Sequence, residues 1–591
     1  MKNKVKFKRG FTFLLSLVLC LSLFGCQSKK GSEEFAAYAK EMPAILTKHN
    51  SFDINFLFDK PEDYGIQKES YTLDYISLED YKKYDEELRA KFEELKDFDY
   101  EKLNKDQQIT YDLLENASEE LDVDVEDYYY LSTNHFDTNT GVQAQLPMLL
   151  WNYELKNKKS VDSLLAILHQ APDMFKKYTD LEKTRQEKGF GMAETKMKHV
   201  IKAIHTINTT DQSYILKAIE KQLDEVDFLS AKEKASYKQK IKEAFEGPYL
   251  KAWQQAEKDL KDIKILKKGD GELSSYKNGK VYYEQIVTEA AGVKTMEEYT
   301  KFLEGQQSKI SLRIIPLFKE YPELKEYITD TEKLMKAMQD IHYTDLKNSN
   351  DIIEELEKKI AEGKVFPKIE KLQYEMREFP KSMQDTTMLA AAYFVSAYDG
   401  GPSHKERMLL NGTFKQSDFT VIAHESFPGH MYQHNYFKTI DHDILRDLLG
   451  SSAYSEGWAT YIQDKACDLS LEPGLCHLTD INNQLTYTYI LDLDKKIHYD
   501  GMSRQEAYDF LKTNFQISEE EQLKELYEQL LENPGVFANY YASLYRILEL
   551  KSSAQEAWGD DYSEYRFHKE MLDLGPLPMD LLRKHMDLSA K

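Results

Sequence analysis

Three histidines and one glutamate within eleven residues are the side chains of this sequence best suited to chemistry. They lie in the segment HESFPGHMYQH, residues 424–434. Imidazole is a common zinc ligand, and a Glu beside the first His of such a motif can reach the water that a bound metal activates. The segment therefore predicts a hydrolytic zinc site in which Glu425 accepts the proton of the water.

The spacing of the first two histidines is unusual for a zinc-binding helix. His424 and His430 are six residues apart, and on an ideal helix this turns the second ring well over half a turn away from the first. Pro428 and Gly429 lie between them and allow the chain to leave the helix and rejoin it in phase. His430 and His434 have one-turn spacing but no Glu beside the first His, so they are a second candidate pair, with His434 otherwise a residue beside the site or at the surface.

A catalytic zinc ion usually takes three protein ligands and keeps one position open. Twenty-six residues after His430, the segment AYSEGWATY (residues 453–461) reads as an apolar helix with one carboxylate, Glu456. Burying an unpaired charge is costly, and a metal ion would satisfy it. Glu456 is therefore a candidate third ligand, with a salt bridge or a solvent-facing position as the alternative.

The N-terminal residues differ in character from the rest of the chain. Five Lys or Arg residues precede an apolar run from Phe11 to Phe24, which has the order of a secretion signal and is too short to span a bilayer comfortably. The run ends in LFGC, which resembles a bacterial lipobox with Cys26 as the lipidated N-terminus; ordinary cleavage or a retained anchor is the alternative. We expect a signal peptide over residues 1–25, a polar tether over 26–40, and a lipid-anchored protein on the extracytoplasmic face of the cell membrane.

The composition excludes one class of partner. The net charge of −24 argues against nucleic acid, because phosphate binding requires clustered Lys and Arg. Removal of the basic signal peptide makes the mature chain more acidic still. Such a surface chiefly keeps a protein soluble.

Two cysteines remain outside the signal region, Cys467 and Cys476. A disulfide between them is sterically plausible outside the reducing cytosol, but the sequence does not decide whether it forms. Their spacing fits no Cys-rich zinc module.

Most segments after Glu33 have apolar residues three and four positions apart, which predicts amphipathic helices. Two examples are the sets Leu78, Tyr81, Leu88, Phe92, Leu95 and Leu216, Ile219, Leu223, Val226. Only 25 Gly and 15 Pro occur among 591 residues, so we expect long helices and little β structure. A Gly-containing break at residues 267–271 is taken to divide an N-terminal helical lobe, 41–268, from a C-terminal lobe, 269–591, that carries the candidate metal site.

One strand candidate, RMLLN at residues 407–411, lies just before the histidine motif and is bounded by glycines. The alternative is a buried linker. As a strand, residues 408–411 would pair with an extended substrate backbone, which favours peptides over sugars or phosphates.

Several segments together resemble the DUF885 family of bacterial proteins. They are NGKVYYEQIV (278–287), AAYFVSAYDG with RMLLN (391–411), HESFPGHMYQ (424–433), SEGWATY (455–461), NPGVFANYY (533–541) and FHKEMLDLGPLP (567–578). The resemblance extends from about residue 40 to the C-terminus. It groups the chain with gluzincin-type zinc metallopeptidases and implies a mainly α-helical, two-lobed body around a deep channel, with a small β element near the active-site helix.

The resemblance also implies roles for individual residues. The implied zinc ligands are His424, His430 and Glu456, and Glu425 is the implied catalytic base. Tyr540 would stabilise the oxyanion of the tetrahedral intermediate.

Other residues have weaker or competing assignments. Tyr541 and Tyr545 are rivals of Tyr540, because Ser543 replaces the usual Gly of the family after this Tyr motif. His498 would bind substrate or the oxyanion. His568 is expected to pack between helices, and Trp458 is expected to be a core residue beside the site.

We therefore expect an extracytoplasmic zinc metallopeptidase that hydrolyses oligopeptides. The alternatives are a lipid-anchored peptide-binding protein with a structural or vestigial metal site, and a zinc hydrolase of a non-peptide amide or ester. Substrate length, cleavage mode and oligomeric state have no signal in the sequence.

Overall fold

The protein is built mainly from α-helices with one small sheet, as expected, whereas the gluzincin-like, two-lobed body with a deep channel stays a prediction. The computed structural model describes residues 30–119, 123–327, 330–384, 390–401, 404–412, 414–515, 517 and 519–588. The predicted signal peptide and Cys26 lie outside these residues.

The helices of the first half of the chain are α1 (Ser32–Leu46), α2 (Ile54–Leu57), α3 (Leu78–Glu93), α4 (Lys105–Ala117), α5 (Val125–Ser132), α6 (Val142–Trp151), α7 (Lys158–Lys188), α8 (Glu194–Thr209), α9 (Ser213–Glu225), α10 (Ala231–Ala244), α11 (Leu250–Asp262), α12 (Gly279–Ala291) and α13 (Met296–Leu312). Those of the second half are α14 (Ile314–Glu320), α15 (Thr331–Gln339), α16 (Ser349–Ala361), α17 (Lys381–Gln384), α18 (Phe419–Glu425), α19 (His430–Phe437), α20 (Leu445–Leu448), α21 (Ser452–Ala466), α22 (Pro473–Lys495), α23 (Arg504–Phe515), α24 (Glu520–Glu532), α25 (Ser543–Trp558), α26 (Glu564–Leu574) and α27 (Met579–His585).

The apolar periodicity has different outcomes in the two helices named above. In α9, Ile219 and Leu223 are fully buried, together with Ile215 one position from the predicted set. In α3 no residue is fully buried, and the buried Leu95 lies beyond the end of the helix. Both helices form, but only α9 is a core helix.

A small sheet of three strands precedes the histidine motif. The strands are β1 (Gln373–Glu378), β2 (Ala391–Phe394) and β3 (Lys405–Leu410), in the order β1-β3-β2. β3 pairs parallel with β1 and antiparallel with β2, with Tyr393 opposite Met408. The predicted strand at residues 407–411 is therefore present as β3.

The position of β3 in the sheet corrects the expectation that it pairs with substrate. β3 is the central strand, so both of its edges already bond to neighbouring strands. An added strand needs an exposed edge. Among the described strands, only β1 and β2 have an edge without a neighbouring strand, and β2 is the strand that reaches the candidate site.

The sheet lies between two hydrophobic cores. Successive side chains of a strand point to opposite faces. Accordingly Met408 belongs to a core formed mainly by residues 283–588, whereas Leu409 joins a core formed mainly by residues 52–260. The predicted lobe boundary at residue 268 falls between these two sets. Members such as Ile109 and Leu409 cross it, and the boundary itself stays a prediction.

The predicted tether is shorter than expected. α1 begins at Ser32 and buries Phe35, Tyr38 and Met42 against Phe98 and neighbouring apolar residues. Residues 32–40 are therefore part of the folded body. Burial of the apolar surface of Phe35 stabilises the packing of α1. Among the residues that the structure describes, no helix combines the length and apolar character that a membrane crossing requires.

The two cysteines that the sequence left undecided form a disulfide. Cys467 and Cys476 are bonded through their sulfur atoms, and their Cα atoms are 5.4 Å apart. The bridge joins the end of α21 to the first turn of α22. It therefore connects the helix that carries Glu456 to its successor in the chain.

Candidate metal centre

The histidine motif is divided between two short helices. α18 ends at Glu425 and α19 begins at His430, so the predicted detour is a complete break between helices. The peptide bond between Phe427 and Pro428 is cis. Inside the break, the backbone N–H of Gly429 donates to the carbonyl of Ala423 at 3.1 Å. This path brings the start of α19 back against the end of α18.

Gly429 and Trp458 define the path of the chain through this break. A Cβ atom at Gly429 would lie 1.7 Å from the carbonyl oxygen of His424, so no other residue fits without moving the backbone. The indole Nε1 of Trp458, which is fully buried on α21, donates to the carbonyl of Pro428 at 2.9 Å. The core position expected for Trp458 is observed, and the side chain also ties the break to α21.

The three predicted ligands converge on one point. His430 Nε2 lies 3.4 Å and His424 Nε2 3.6 Å from Glu456 Oε2. The two imidazole rings are nearly perpendicular, at 88°, with centroids 4.8 Å apart. One ligand atom of each residue lies within 4.8 Å of the other two.

The spacing of these atoms fits a zinc ion. Zinc bonds of 2.0 to 2.2 Å in tetrahedral geometry place neighbouring ligand atoms about 3.3 Å apart. The distances to Glu456 Oε2 are 3.4 and 3.6 Å. This oxygen is buried and accepts no hydrogen bond from the described residues, which is uncommon for a buried carboxylate. A cation bound at the centre of the cluster would satisfy it.

The electrostatics of the cluster also favour a cation. Burial raises the pKa of Glu456, but the imidazoles of His424 and His430 outweigh this effect and hold the pKa well below its usual range. Burial lowers the pKa of His430, yet the Glu456 carboxylate raises it above the ordinary value of 6.5. Both shifts reflect a negative charge that is stabilised by positive charge at this point.

Glu425 is held beside the cluster by the edge of the sheet. Its Oε2 accepts a hydrogen bond from the backbone N–H of Tyr393 at 2.7 Å. Its Oε1 lies 4.0 Å from His424 Nε2. One oxygen is thus anchored to β2, and the other faces the position that a metal and its water would take.

Tyr540 lies beside His424. It belongs to a π-helix, Ala538–Ala542, and its ring is nearly parallel to that of His424, with 6.3 Å between centroids. Burial, and then the carboxylates of Glu456 and Glu425, raise the pKa of Tyr540 well above its usual value of 10. Its phenol therefore keeps its proton at neutral pH and can donate a hydrogen bond.

The two rival tyrosines are packed elsewhere. Tyr541 stacks on Tyr487 with 3.6 Å between centroids, and the hydroxyl of Tyr545 donates to the carbonyl of Gln484 at 2.7 Å. Of these three neighbouring residues, Tyr540 is the one in contact with a predicted ligand.

The Ser543 that departs from the family pattern is accommodated by a glycine. A Cβ atom at Gly457 would lie 2.5 Å from Ser543 Oγ. The Oγ itself donates to the carbonyl of Asn539 one turn earlier. Because residue 457 is Gly, α21, which carries Glu456, approaches the π-helix of Tyr540 closely.

The structure does not bring His498 to the site, contrary to the expectation that it binds substrate or the oxyanion. Its side chain is fully buried, and burial lowers its pKa to about 4. Its Nδ1 accepts from the backbone N–H of Leu273 at 3.1 Å, and its Nε2 donates to the carbonyl of Leu530 at 3.0 Å. With both ring nitrogens bonded to backbone, His498 joins distant segments and has no atom left for substrate.

Two other histidines also have structural partners. The Nε2 of His434 donates to the carbonyl of Ser396 at 3.0 Å, so this residue lies outside the His-His-Glu cluster. His568 is fully buried, bonds through Nε2 to the hydroxyl of Tyr461 at 2.9 Å, and stacks on Phe366. His568 thus packs between helices, as the sequence analysis expected.

Sequence reasoning missed the strand that anchors Glu425. The segment AAYF, residues 391–394, belongs to one of the segments that resemble the DUF885 family. Its run of apolar and aromatic residues was a usable signal for a buried strand. The role of the Tyr393 backbone had no signal in the sequence, because any residue supplies the same N–H group.

A second group of potential ligands consists of Asp59, Glu154 and His404. Lys156 lies 2.8 Å from Asp59, and Arg407 contacts Glu154 directly. These cations already compensate the carboxylates, so the group differs from the His-His-Glu cluster in having no charge left for a metal.

The fold and the site together define a mainly α-helical protein with a His-His-Glu cluster of metal-ligand geometry. The chain belongs to the DUF885 family, described as bacterial proteins of unknown function, whose model matches residues 61–586. The predicted family is confirmed. No curated protein matches the chain.

Two solved structures are similar in fold. One is described as the “putative lipoprotein” of Colwellia psychrerythraea, with a TM-score of 0.77, 18% identity, and coverage of 94% of this chain and 98% of that one. The other is a “putative lipoprotein of unknown function” of Shewanella oneidensis, with a TM-score of 0.58, 16% identity, and coverage of 93% and 99%. At these identities the likeness establishes the shared fold.

Proposed function

We propose that this protein is a zinc-dependent metallopeptidase that hydrolyses oligopeptides. The observation that carries the proposal is the convergence of His424, His430 and Glu456 beside a second carboxylate, Glu425. Two imidazoles and one carboxylate are a frequent ligand set of hydrolytic zinc sites, and a Glu beside the first His is the usual general base. His424, His430 and Glu456 would hold the ion.

Glu425 and Tyr540 have separate roles in the proposed hydrolysis. Zinc, when bound, supplies a Lewis acid that polarises the scissile carbonyl and makes water acidic. Glu425 accepts the proton that the attacking water loses and returns it to the nitrogen of the leaving amine. The phenol of Tyr540 donates a hydrogen bond to the oxygen of the former carbonyl, where negative charge develops, and keeps its proton throughout. The net reaction adds one water across the peptide bond.

The free edge of β2 supports a peptide as the substrate. The backbone N–H of Asn411 donates to the carbonyl of Ala390 at 2.8 Å, so alternation along the ladder directs the backbone groups of Ala391 and Tyr393 away from β3. The Tyr393 N–H meets Glu425. Because Glu425 occupies the Tyr393 N–H, an extended peptide added to this edge would bond to the other outward-facing backbone groups of Ala391 and Tyr393 and would pass the proposed base and the proposed metal ligands.

We also propose that Cys26 carries a lipid that holds the protein on the extracytoplasmic face of the cell membrane. The basic and apolar start of the chain and its LFGC sequence support this proposal. The Cys467–Cys476 disulfide fits an oxidising compartment. Both similar structures are described as a “putative lipoprotein”.

The deciding experiment is mass spectrometry of a mixed peptide library incubated with the purified protein, with and without a chelator. We expect cleavage products that disappear with the chelator and return when zinc is restored. Peptides that are bound but never cleaved by the zinc-loaded protein would instead favour a lipid-anchored peptide-binding protein. That alternative has no use for Glu425, because a pure binder needs no general base.

A further inference from the structure

A cavity whose wall contains none of the residues of the His-His-Glu cluster has a surplus of negative charge. Its volume is about 240 Å³, and it lies among the ends of α7 and α24 and the first turns of α8 and α12. A volume of this size is below that of pockets for drug-sized ligands, about 300–1,000 Å³, and suits a single side chain or a small ion.

Most charged groups of the cavity wall have partners. Lys196 pairs with Asp137 at 2.6 Å, and Arg185 pairs with Glu182 at 2.7 Å. Asp270 is held by Arg504 at 2.8 Å. These pairs cancel, so their net contribution to the charge of the cavity is small.

Glu528 and Glu532 are the exception. Only 8% of Glu528 is exposed, and its carboxylate accepts no hydrogen bond from the described residues; among those residues its one ion-pair partner within 4 Å is the imidazole Nε2 of His199, at 3.8 Å. The other ring nitrogen of His199 contacts Glu532 at 2.5 Å. Burial raises the pKa of Glu532, and Glu528 adds to this effect, although His199 and Lys196 oppose it. Two carboxylates thus share one imidazole, so at least one of them has no cation of its own.

The other walls suit an organic cation. The aromatic side chains of Phe190, Tyr276 and Tyr282 line the same cavity. Aromatic faces attract ammonium and guanidinium groups, and more strongly when these are desolvated. A buried carboxylate next to aromatic rings therefore favours a basic organic group over a hydrated metal ion.

Two segments of the chain extend from the wall of the cavity to the neighbourhood of the His-His-Glu cluster. Pro534 lines the cavity and is six residues before Tyr540, so their Cα atoms are at most about 22 Å apart. Tyr282 and Ile286 of α12 line it too, and α12 contacts both α21 and the π-helix of Tyr540. A peptide of about six extended residues spans this distance.

We propose that the cavity between α8 and α24 binds the ammonium or guanidinium group of a basic residue in the peptide substrate. This inference rests on the proposed function, since it assigns a side-chain preference to the same hydrolytic site. The group can come from a Lys or Arg residue of the substrate or from a free amine of the same chemistry, and the test separates the two sources.

The test is binding of matched peptides to the zinc-loaded Glu425→Gln protein, measured by calorimetry. Each peptide carries one Arg at a different position, and its partner carries the uncharged isostere citrulline. We expect one Arg position to bind at least tenfold more tightly than its citrulline partner. Glu528→Gln should remove that difference and leave the affinity for the citrulline peptide unchanged. The exposed Glu525→Gln, on the same helix, is the control and should change neither affinity.

Equal affinity for Arg and citrulline at every position, or an unchanged preference in Glu528→Gln, would overturn the proposal. Melting temperatures verify folding, and Glu532→Gln serves as the second variant if Glu528→Gln does not fold. Binding of agmatine, a free compound with a guanidinium group, is measured in the same way. If agmatine binds as tightly as the best Arg peptide, the cavity takes free amines and the assignment of a peptide side chain is wrong. Glu528-dependent Arg binding without any cleavage by the wild type would refute the peptidase and leave the cavity as a cation site.

Discussion

The Glu425 carboxylate accepts a hydrogen bond from the backbone N–H of Tyr393 at 2.7 Å, and this contact joins helix α18 to the edge of the sheet. The bond fixes one carboxylate oxygen and leaves the other 4.0 Å from His424 Nε2. Because the donor is a backbone group on a strand, the position of the proposed base is set by the fold. The same contact places the base at the edge where an extended substrate would add.

Substitution of Glu425 by Gln is expected to separate metal binding from catalysis. The amide oxygen of Gln can still accept the bond from Tyr393, but an amide cannot take a proton from water. Turnover should fall about 10²–10⁴-fold, which is the usual contribution of a general base, with zinc content unchanged. Elemental analysis and peptide hydrolysis measure the two quantities. The exposed Glu378→Gln is the control, and wild-type turnover in Glu425→Gln would refute the assigned mechanism.

Removal of His430 is expected to abolish tight zinc binding, whereas removal of His434 is not. His430 lies 3.4 Å from Glu456, and His434 bonds to the carbonyl of Ser396 outside the cluster. Even the loss of a group that only supports a ligand costs about 10–100-fold in affinity, so His430→Ala should exceed about 100-fold. Competition with a fluorescent chelator measures this affinity. Equal zinc affinity in the two variants would contradict the proposed ligand set.

Tyr540→Phe is expected to lower kcat about 10²–10³-fold with little change in KM, because the phenol donates only to charge that develops during the reaction. The zinc content should stay at the wild-type level. Tyr541→Phe is the matched control, since Tyr541 stacks on Tyr487 and does not contact a ligand. If Tyr541→Phe has the larger effect on kcat, the oxyanion role belongs to a different residue from the one we assign.

Gly429→Ala is expected to damage both stability and zinc binding. The new Cβ would lie 1.7 Å from the carbonyl oxygen of His424, and a backbone atom cannot move away as a side chain can. Overpacking of this kind costs about 1–3 kcal/mol or more, and here it displaces a ligand. Thermal unfolding with and without zinc measures both effects. Gly247→Ala, which meets no atom within 4 Å, should be tolerated; a Gly429→Ala protein with wild-type zinc affinity would show that the break is adaptable.

Local patterns in the sequence are sufficient to predict the mainly helical character, strand β3, and the part of the site formed by His424, Glu425 and His430. Helix periodicity, the spacing of His424 and His430, and the Pro428-Gly429 pair between them all act over a few residues, so they can be read without tertiary contacts. The main α character, β3 and the break in the helix were predicted on this basis. Glu456 was a weaker inference, because its 26-residue separation from His430 says nothing by itself about distance in space.

Tertiary packing decided what local patterns left open. Whether β3 is an edge or a central strand depends on β1, which lies about 30 residues earlier in the chain. His498 has a chemically capable side chain, but contacts with Leu273 and Leu530 bury it and occupy both nitrogens. The choice of Tyr540 over Tyr541 follows from which ring the π-helix turns toward His424. In each case the answer depends on which distant segment supplies the neighbouring atoms, and residue type and spacing carry no record of that.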